Sequence, residues 1–115
     1  PYLQYAYARA QSILAKGKAQ EAGELRSLAF EVSERSLVRK LGEYAEVVEQ
    51  AASELMPHLV CTYLYELAQV FNRFYENNRV IDDAREDLRL SLVASYAVAL
   101  KKGLNILGIV APEHM

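Results

Sequence analysis

Between Pro57 and Asn77 the apolar residues Val60, Tyr63, Leu64, Leu67, Val70, Phe71 and Phe74 recur with the 3.6-residue rhythm of one helix face. A segment of that length and period cannot be a strand, and a single stripe cannot stay in water alone. It demands other helices to cover it. The stripe runs into LYELAQVFNRFYENNRV, Leu64 to Val80, where Asn72, Arg73, Tyr75, Asn77, Asn78 and Arg79 crowd the end of the helix with flat, hydrogen-bonding groups. Stacking faces beside amide and guanidinium edges are what an unstacked nucleobase needs.

The rest of the chain supplies the covering helices. A first helix is predicted over Tyr2 to Lys16, stopping at Gly17, with Pro1 at its start and Tyr2, Ala6, Ala10, Ile13 and Leu14 on its apolar face. Gly17 to Val32 reads as mixed, with room for one short helix. Ser33 is placed to cap a second helix through Leu41, with Leu37, Val38 and Leu41 inward. Tyr44 to Leu55 reads as a third, with Val47, Val48, Ala51 and Leu55 on its inner side. Pro57 fits the first turn of the fourth. Asp83 and Glu86 have capping-box spacing before a last helix carrying Leu88, Leu92, Tyr96, Leu100 and Leu104, which ends at Gly108. Only three prolines and five glycines interrupt the chain, at the edges of periodic segments. The expected fold is therefore all-α, a helical bundle of about five helices in one domain spanning residues 1–115.

Composition narrows the function. With 52% hydrophobic and 24% charged residues the chain is globular, and a net charge of −2 argues against a generic polyanion binder. One cysteine excludes an intrachain disulfide, and no apolar run approaches the roughly 18 residues of a membrane span. A reducing cytoplasm is expected, with no membrane partner. Pro1 in place of a starting methionine, at what reads as a helix start, leads to the expectation that this is a piece of a longer protein.

Catalytic tools are scarce. There is no glycine-rich phosphate loop, no HExxH and no Cys/His cluster with metal-ligand spacing. Cys61 follows His58 by three residues, which a helix could bring together as a nucleophile pair, although a buried thiol is the plainer reading. The glutamates at 43, 46, 49 and 54 read as a solvated face, and Lys101 and Lys102 as dipole partners near a helix C-terminus.

Three motifs in order, PYLQYAYAR at the start, LYELAQVFNRFYENNRV in the middle and GLNILGIVAPEHM at the end, resemble the C-terminal DALR-type anticodon-binding domain of arginyl-tRNA synthetases. The resemblance spans Pro1 to Met115 and implies a module that holds the anticodon loop of an arginine tRNA, whose middle base is cytosine. The catalytic domain of the parent, an ATP- and magnesium-dependent class I ligase, would lie before Pro1. This piece alone is expected to be non-catalytic, without a cofactor of its own, and monomeric. The resemblance implies Gln4 and Tyr5 near the base pocket, Tyr75 as stacking residue, and Met115 offering its main chain and terminal carboxylate there. Asn72 and Arg79 from the central motif complete the expected set of contacts. One departure is His114, where the family usually has arginine.

Each of these residues also has a plainer reading. Tyr63 belongs to the core stripe. Tyr75 follows Phe74 and must point sideways or outward if Phe74 is inward. Tyr2 and Tyr5 could be core or pocket wall, Asn77 and Asn78 helix-ending residues, and Arg9 an ion-pair partner within the bundle. Arg73 and Arg79 could reach loop phosphates or pair with Glu76 and Asp82. The competing functions are a helical protein-interaction module with a tyrosine-lined groove, and a small enzyme built on Cys61 and His58.

Overall fold

The polar ends of the helices decide where each one stops. In the computed structural model, which describes residues 1–17 and 29–112, the elements in order are α1 (Tyr2–Lys16), α2 (Val32–Gly42), α3 (Tyr44–Ser53), α4 (His58–Asn77) and α5 (Glu86–Ile106). The short helix considered for residues 17–32 falls mostly outside the described residues. α1 ends as expected, with the Gly17 amide donating to the Leu14 carbonyl. α5 closes with the Gly108 amide on Asn105 and the Ile109 amide on Leu104, and Gly108 takes φ +76°, the left-handed conformation that glycine adopts without steric cost.

Three local expectations are corrected. Glu31, not Ser33, stands at the start of α2; Glu34 reaches back to accept from the Glu31 amide at 2.8 Å, while the Ser33 hydroxyl donates to Asn78 Oδ1 across the bundle. The glutamate pair out-competes the serine because Glu34 is also held by Arg85, just before α5, and by Arg89 in its first turn. The Asp83/Glu86 pair works in shifted register: Glu86 accepts from the Asp82 amide at 2.6 Å, and Asp83 accepts from the Arg85 amide at 2.9 Å. Leu55 is not inward but 86% exposed. α3 ends before it, and Leu55 occupies the left-handed position of a helix stop at φ 54°, with the Met56 amide closing onto the Ala51 carbonyl. That backbone turn throws its side chain outward.

α4 is the central rod and touches each of the other four helices, while α1 packs chiefly along α5. Of the predicted α4 stripe, Val60, Tyr63, Leu64, Leu67, Phe71 and Phe74 are buried and Val70 is half-buried. All five residues of the α5 series, Leu88 to Leu104, are buried as well. Tyr63 solves its polar problem by donating its hydroxyl to the Lys40 carbonyl at 2.6 Å, which also accepts from the Glu43 amide at the end of α2.

α4 and α5 meet where Gly103 faces Leu64. A Cβ at Gly103 would stand 2.7 Å from both Leu64 methyl carbons, so the fully buried Leu64 side chain would have to shift within the core. Gly103→Ala is expected to destabilise the fold by about 1–3 kcal/mol, despite the better helix propensity of alanine. Urea unfolding checks this; an unchanged or raised midpoint would show that the helices slide apart without cost.

A second polar feature lies inside the bundle. The Glu34 carboxylate is fully buried and accepts from Arg85 Nε (2.8 Å) and Nη2, from Arg89 Nε (2.9 Å) and from the Glu31 amide. Arg89, itself nearly buried, also donates to the Arg79 carbonyl at 2.6 Å and to Glu31 at 2.8 Å. The network ties the start of α2 to the start of α5 and to the α4–α5 loop. None of these four residues was singled out in the sequence.

Candidate functional site

The C-terminal half of α4 carries the polar cluster, and two sides of that half-helix face open clefts. Toward α1, Tyr2, Tyr5, Ala6 and Arg9 form one wall of a cleft of about 130 Å³, and Phe71, Asn72 and Tyr96 form the other. Helical spacing explains the first wall: residues 2, 5, 6 and 9 fall on one face of α1. The same geometry places Phe71, Asn72 and Tyr75 on the side of α4 that meets α1.

Aromatic packing stiffens the cleft. Phe71 stacks on Tyr96 with centroids 4.0 Å apart and planes 6° apart, and on Tyr75 at 6.0 Å and 11°. Burial pushes the Tyr96 phenol far above its ordinary range, so it stays neutral. Tyr2 stacks on Tyr65 of α4 at 5.3 Å and 9°. Rings fixed in this way lose little freedom when a further flat group is added.

The six residues singled out from the sequence separate into groups. Tyr5 and Asn72 line the α1–α4 cleft together. Tyr5 is 58% exposed, so its ring is a rim and not core. Asn72 donates its amide to the Tyr2 hydroxyl at 3.2 Å, which orients the side chain and leaves its carbonyl oxygen able to accept. Tyr75 is half-buried, one turn further along α4. Its link to the cleft is Arg9, a cleft residue whose guanidinium carbon lies 5.1 Å from the centre of the Tyr75 ring.

Gln4 is not among the residues lining that cleft. Its amide donates to the Val110 carbonyl at 2.8 Å and holds the tail after α5 against α1. Arg79 lies outside the cleft, in the α4–α5 loop, where its Nε donates to the Ile81 carbonyl at 2.9 Å. It shares a second, open hollow with Tyr75, Asn77, Asn78 and Asp82. Met115 falls outside the described residues. Asn77 and Asn78 are helix-ending residues, donating to the Arg73 and Phe74 carbonyls at 2.7 and 2.8 Å.

Two contributors were undervalued in the sequence. Arg9, read as an ion-pair partner, is the cation over Tyr75, and Tyr2 is a cleft wall that orients Asn72. The signal was the spacing of Tyr2, Tyr5 and Arg9 on one helix face, where the cation at position 9 argues against burial. The enzyme-like reading of Cys61 gains no support: His58 is exposed, Cys61 is partly buried, and no hydrogen bond joins them. Among the described residues, no group of three or more His, Cys, Asp or Glu could hold a metal ion, and no helix is long and apolar enough to cross a membrane.

A flat-walled cleft with one oriented amide, next to a cation-capped ring, suits a planar heterocycle with hydrogen-bonding edges. Residues 3–115 match the family described as the DALR anticodon binding domain. The chain belongs to that family. This DALR domain is 45% identical to an arginine–tRNA ligase of Thermobifida fusca, over 100% of the chain and 21% of that protein. It is 41% identical to one of Listeria welshimeri, over 99% of the chain and 22% of that protein. Its fold superposes on the Thermus thermophilus arginyl-tRNA synthetase with a TM-score of 0.88 and 41% identity, covering 100% of the chain and 21% of that structure. The DALR domain thus spans about a fifth of the length of these relatives.

Proposed function

We propose that this chain recognises the anticodon loop of an arginine tRNA within an arginine–tRNA ligase, holding a turned-out cytosine at the α1–α4 cleft. The observation that carries the reading is the meeting of Tyr5, Asn72 and the Arg9-capped Tyr75 on adjoining turns of two packed helices. Base–aromatic stacking supplies about 1–3 kcal/mol per base, and the Asn72 carbonyl oxygen can accept from the exocyclic amine of cytosine. Arg9 either stacks on the base itself or yields the Tyr75 face to it, since guanidinium planes and aromatic rings serve equally as stacking platforms.

Family membership and the arginine–tRNA ligase relatives support the same reading. In it, ATP-dependent joining of arginine to tRNA, with its ATP and magnesium, belongs to a catalytic domain N-terminal to this chain, in a cytoplasmic and monomeric protein. The DALR domain itself contributes affinity and discrimination, with no reacting group.

The test is a titration of the full-length protein with the anticodon stem-loop of an arginine tRNA, beside one whose middle cytosine is replaced by uracil. The uracil form should bind about 5- to 150-fold more weakly, the equivalent of about 1–3 kcal/mol for a lost edge contact at an oriented site. Equal affinity for the two stem-loops sinks the proposal.

A further inference from the structure

On the opposite side of the same stretch of α4 lies a larger cleft, about 350 Å³, between α2 and α4. Val70 and Phe74 form its apolar floor, and Arg39, Lys40 and Arg73 stand around it with a single carboxylate, Glu43. Lys40 is committed: its ammonium holds Glu43 at 3.2 Å and Glu66 at 2.8 Å, so the groove's carboxylate is already neutralised. Among the described residues, the guanidinium groups of Arg39 and Arg73 make no ion pair. Among the described residues, these two arginines therefore face the groove over the buried Phe74 ring without a carboxylate partner.

The position of Arg39 in the last turn of α2 has a local explanation in the helix dipole, but Arg73 lies within α4 and has none. Of the hydroxyl and amide donors nearby, Ser33 is used on Asn78 and Ser36 on Val32, while Asn77 donates to Arg73 and keeps one N–H. The charged groups the groove offers a ligand are two guanidinium forks, whose geometry matches the paired oxygens of a phosphate.

We propose that the α2–α4 groove is a phosphodiester subsite for RNA, with Arg39 and Arg73 gripping the backbone of the strand whose base occupies the α1–α4 cleft. The inference rests on the reading given under the proposed function. The two clefts share the C-terminal half of α4, so a strand leaving one reaches the other by passing around the end of that helix. At ordinary ionic strength a charge acts only within about 10 Å, so an acidic domain must place its phosphate contacts locally instead of through an overall field.

The salt dependence of binding tests this. For single-stranded contacts, log K falls with log salt by about 0.7 for each phosphate neutralised. In the full-length protein titrated with the anticodon stem-loop, Arg39→Gln and Arg73→Gln should each flatten that slope by about 0.7, and the double variant by about 1.4. Between 50 and 200 mM salt the wild type should lose about sevenfold more affinity than the double variant. The preference for cytosine over uracil should be kept, because phosphate contacts carry no sequence information. Lys101→Gln and Lys102→Gln, on α5 outside the groove, should leave the slope unchanged.

A wild-type slope in the double variant overturns the subsite while leaving cytosine recognition standing. So does equal flattening by the α5 lysine variants. Loss of cytosine preference in the wild type removes the proposed function, and absence of any binding removes both.

Discussion

Glu34→Ala is expected to destabilise this domain by about 3–5 kcal/mol, a large share of the stability of a chain this size. The carboxylate has no exposure, and its removal leaves Arg85 and the nearly buried Arg89 with only the more exposed carboxylates of Glu31 and Asp83. Breaking one side of a buried ion cluster costs more than the cluster contributes, because the remaining charge stays out of water. Urea unfolding measures the loss, and a change under about 1 kcal/mol would show that solvent reaches Arg85 and Arg89 freely. Replacing all three partners with apolar residues should cost far less than Glu34→Ala alone.

The same residue sets the acid limit of the fold. Burial alone would raise the Glu34 carboxyl, but hydrogen bonds from Arg85, the Glu31 amide and Arg89 outweigh it and hold the group at about 2, against an ordinary 4.5. A folded value below the unfolded one means that the stabilisation is complete above about pH 4.5 and is lost as pH falls toward 2. The shift corresponds to about 3 kcal/mol. Unfolding free energies from pH 6 to pH 2 should therefore fall more steeply for wild type than for Glu34→Gln, which has no proton to gain. Parallel curves would contradict this.

Tyr75→Ala carries the second large expected effect, about 5- to 150-fold weaker binding of the anticodon stem-loop with the bundle intact. Tyr75 is only half-buried and lies at the edge of the Phe71–Tyr96 stack, so its truncation removes a platform and not a keystone. It also releases Arg9 from the ring it covers. Tyr75→Phe should retain most of the affinity, since the face and not the hydroxyl is at issue. A Tyr75→Ala protein with unchanged binding and an unchanged unfolding midpoint would place the base elsewhere.

The helices that bury a regular stripe were legible in the sequence. α1 begins and ends at Tyr2 and Lys16 as its proline and glycine indicate, and α4 extends from just past Pro57 to Asn77. What local pattern could not reveal was set by distant residues. Ser33 has the right chemistry for a cap, but Glu34 is drawn into place by arginines 51 and 55 positions away. Leu55 continues the apolar period of α3, yet a helix stop without glycine takes it out of the core. In the candidate site, the aromatic and amide residues of α4 could be read from their spacing. The grip of Arg9 on Tyr75 and of Gln4 on Val110 could not, because both join segments far apart in the chain.

Phe71, Asn72 and Tyr75 alternate along α4 with Arg73, Phe74 and Asn77, so the two clefts are interleaved in one short run of sequence. Each residue turns the helix by about 100°. A single codon gained or lost within this run would swing every later side chain toward the wrong cleft at once, whereas point changes can disable either cleft alone. Length between Val70 and Asn77 should thus drift far less among descendants of this sequence than residue identity does.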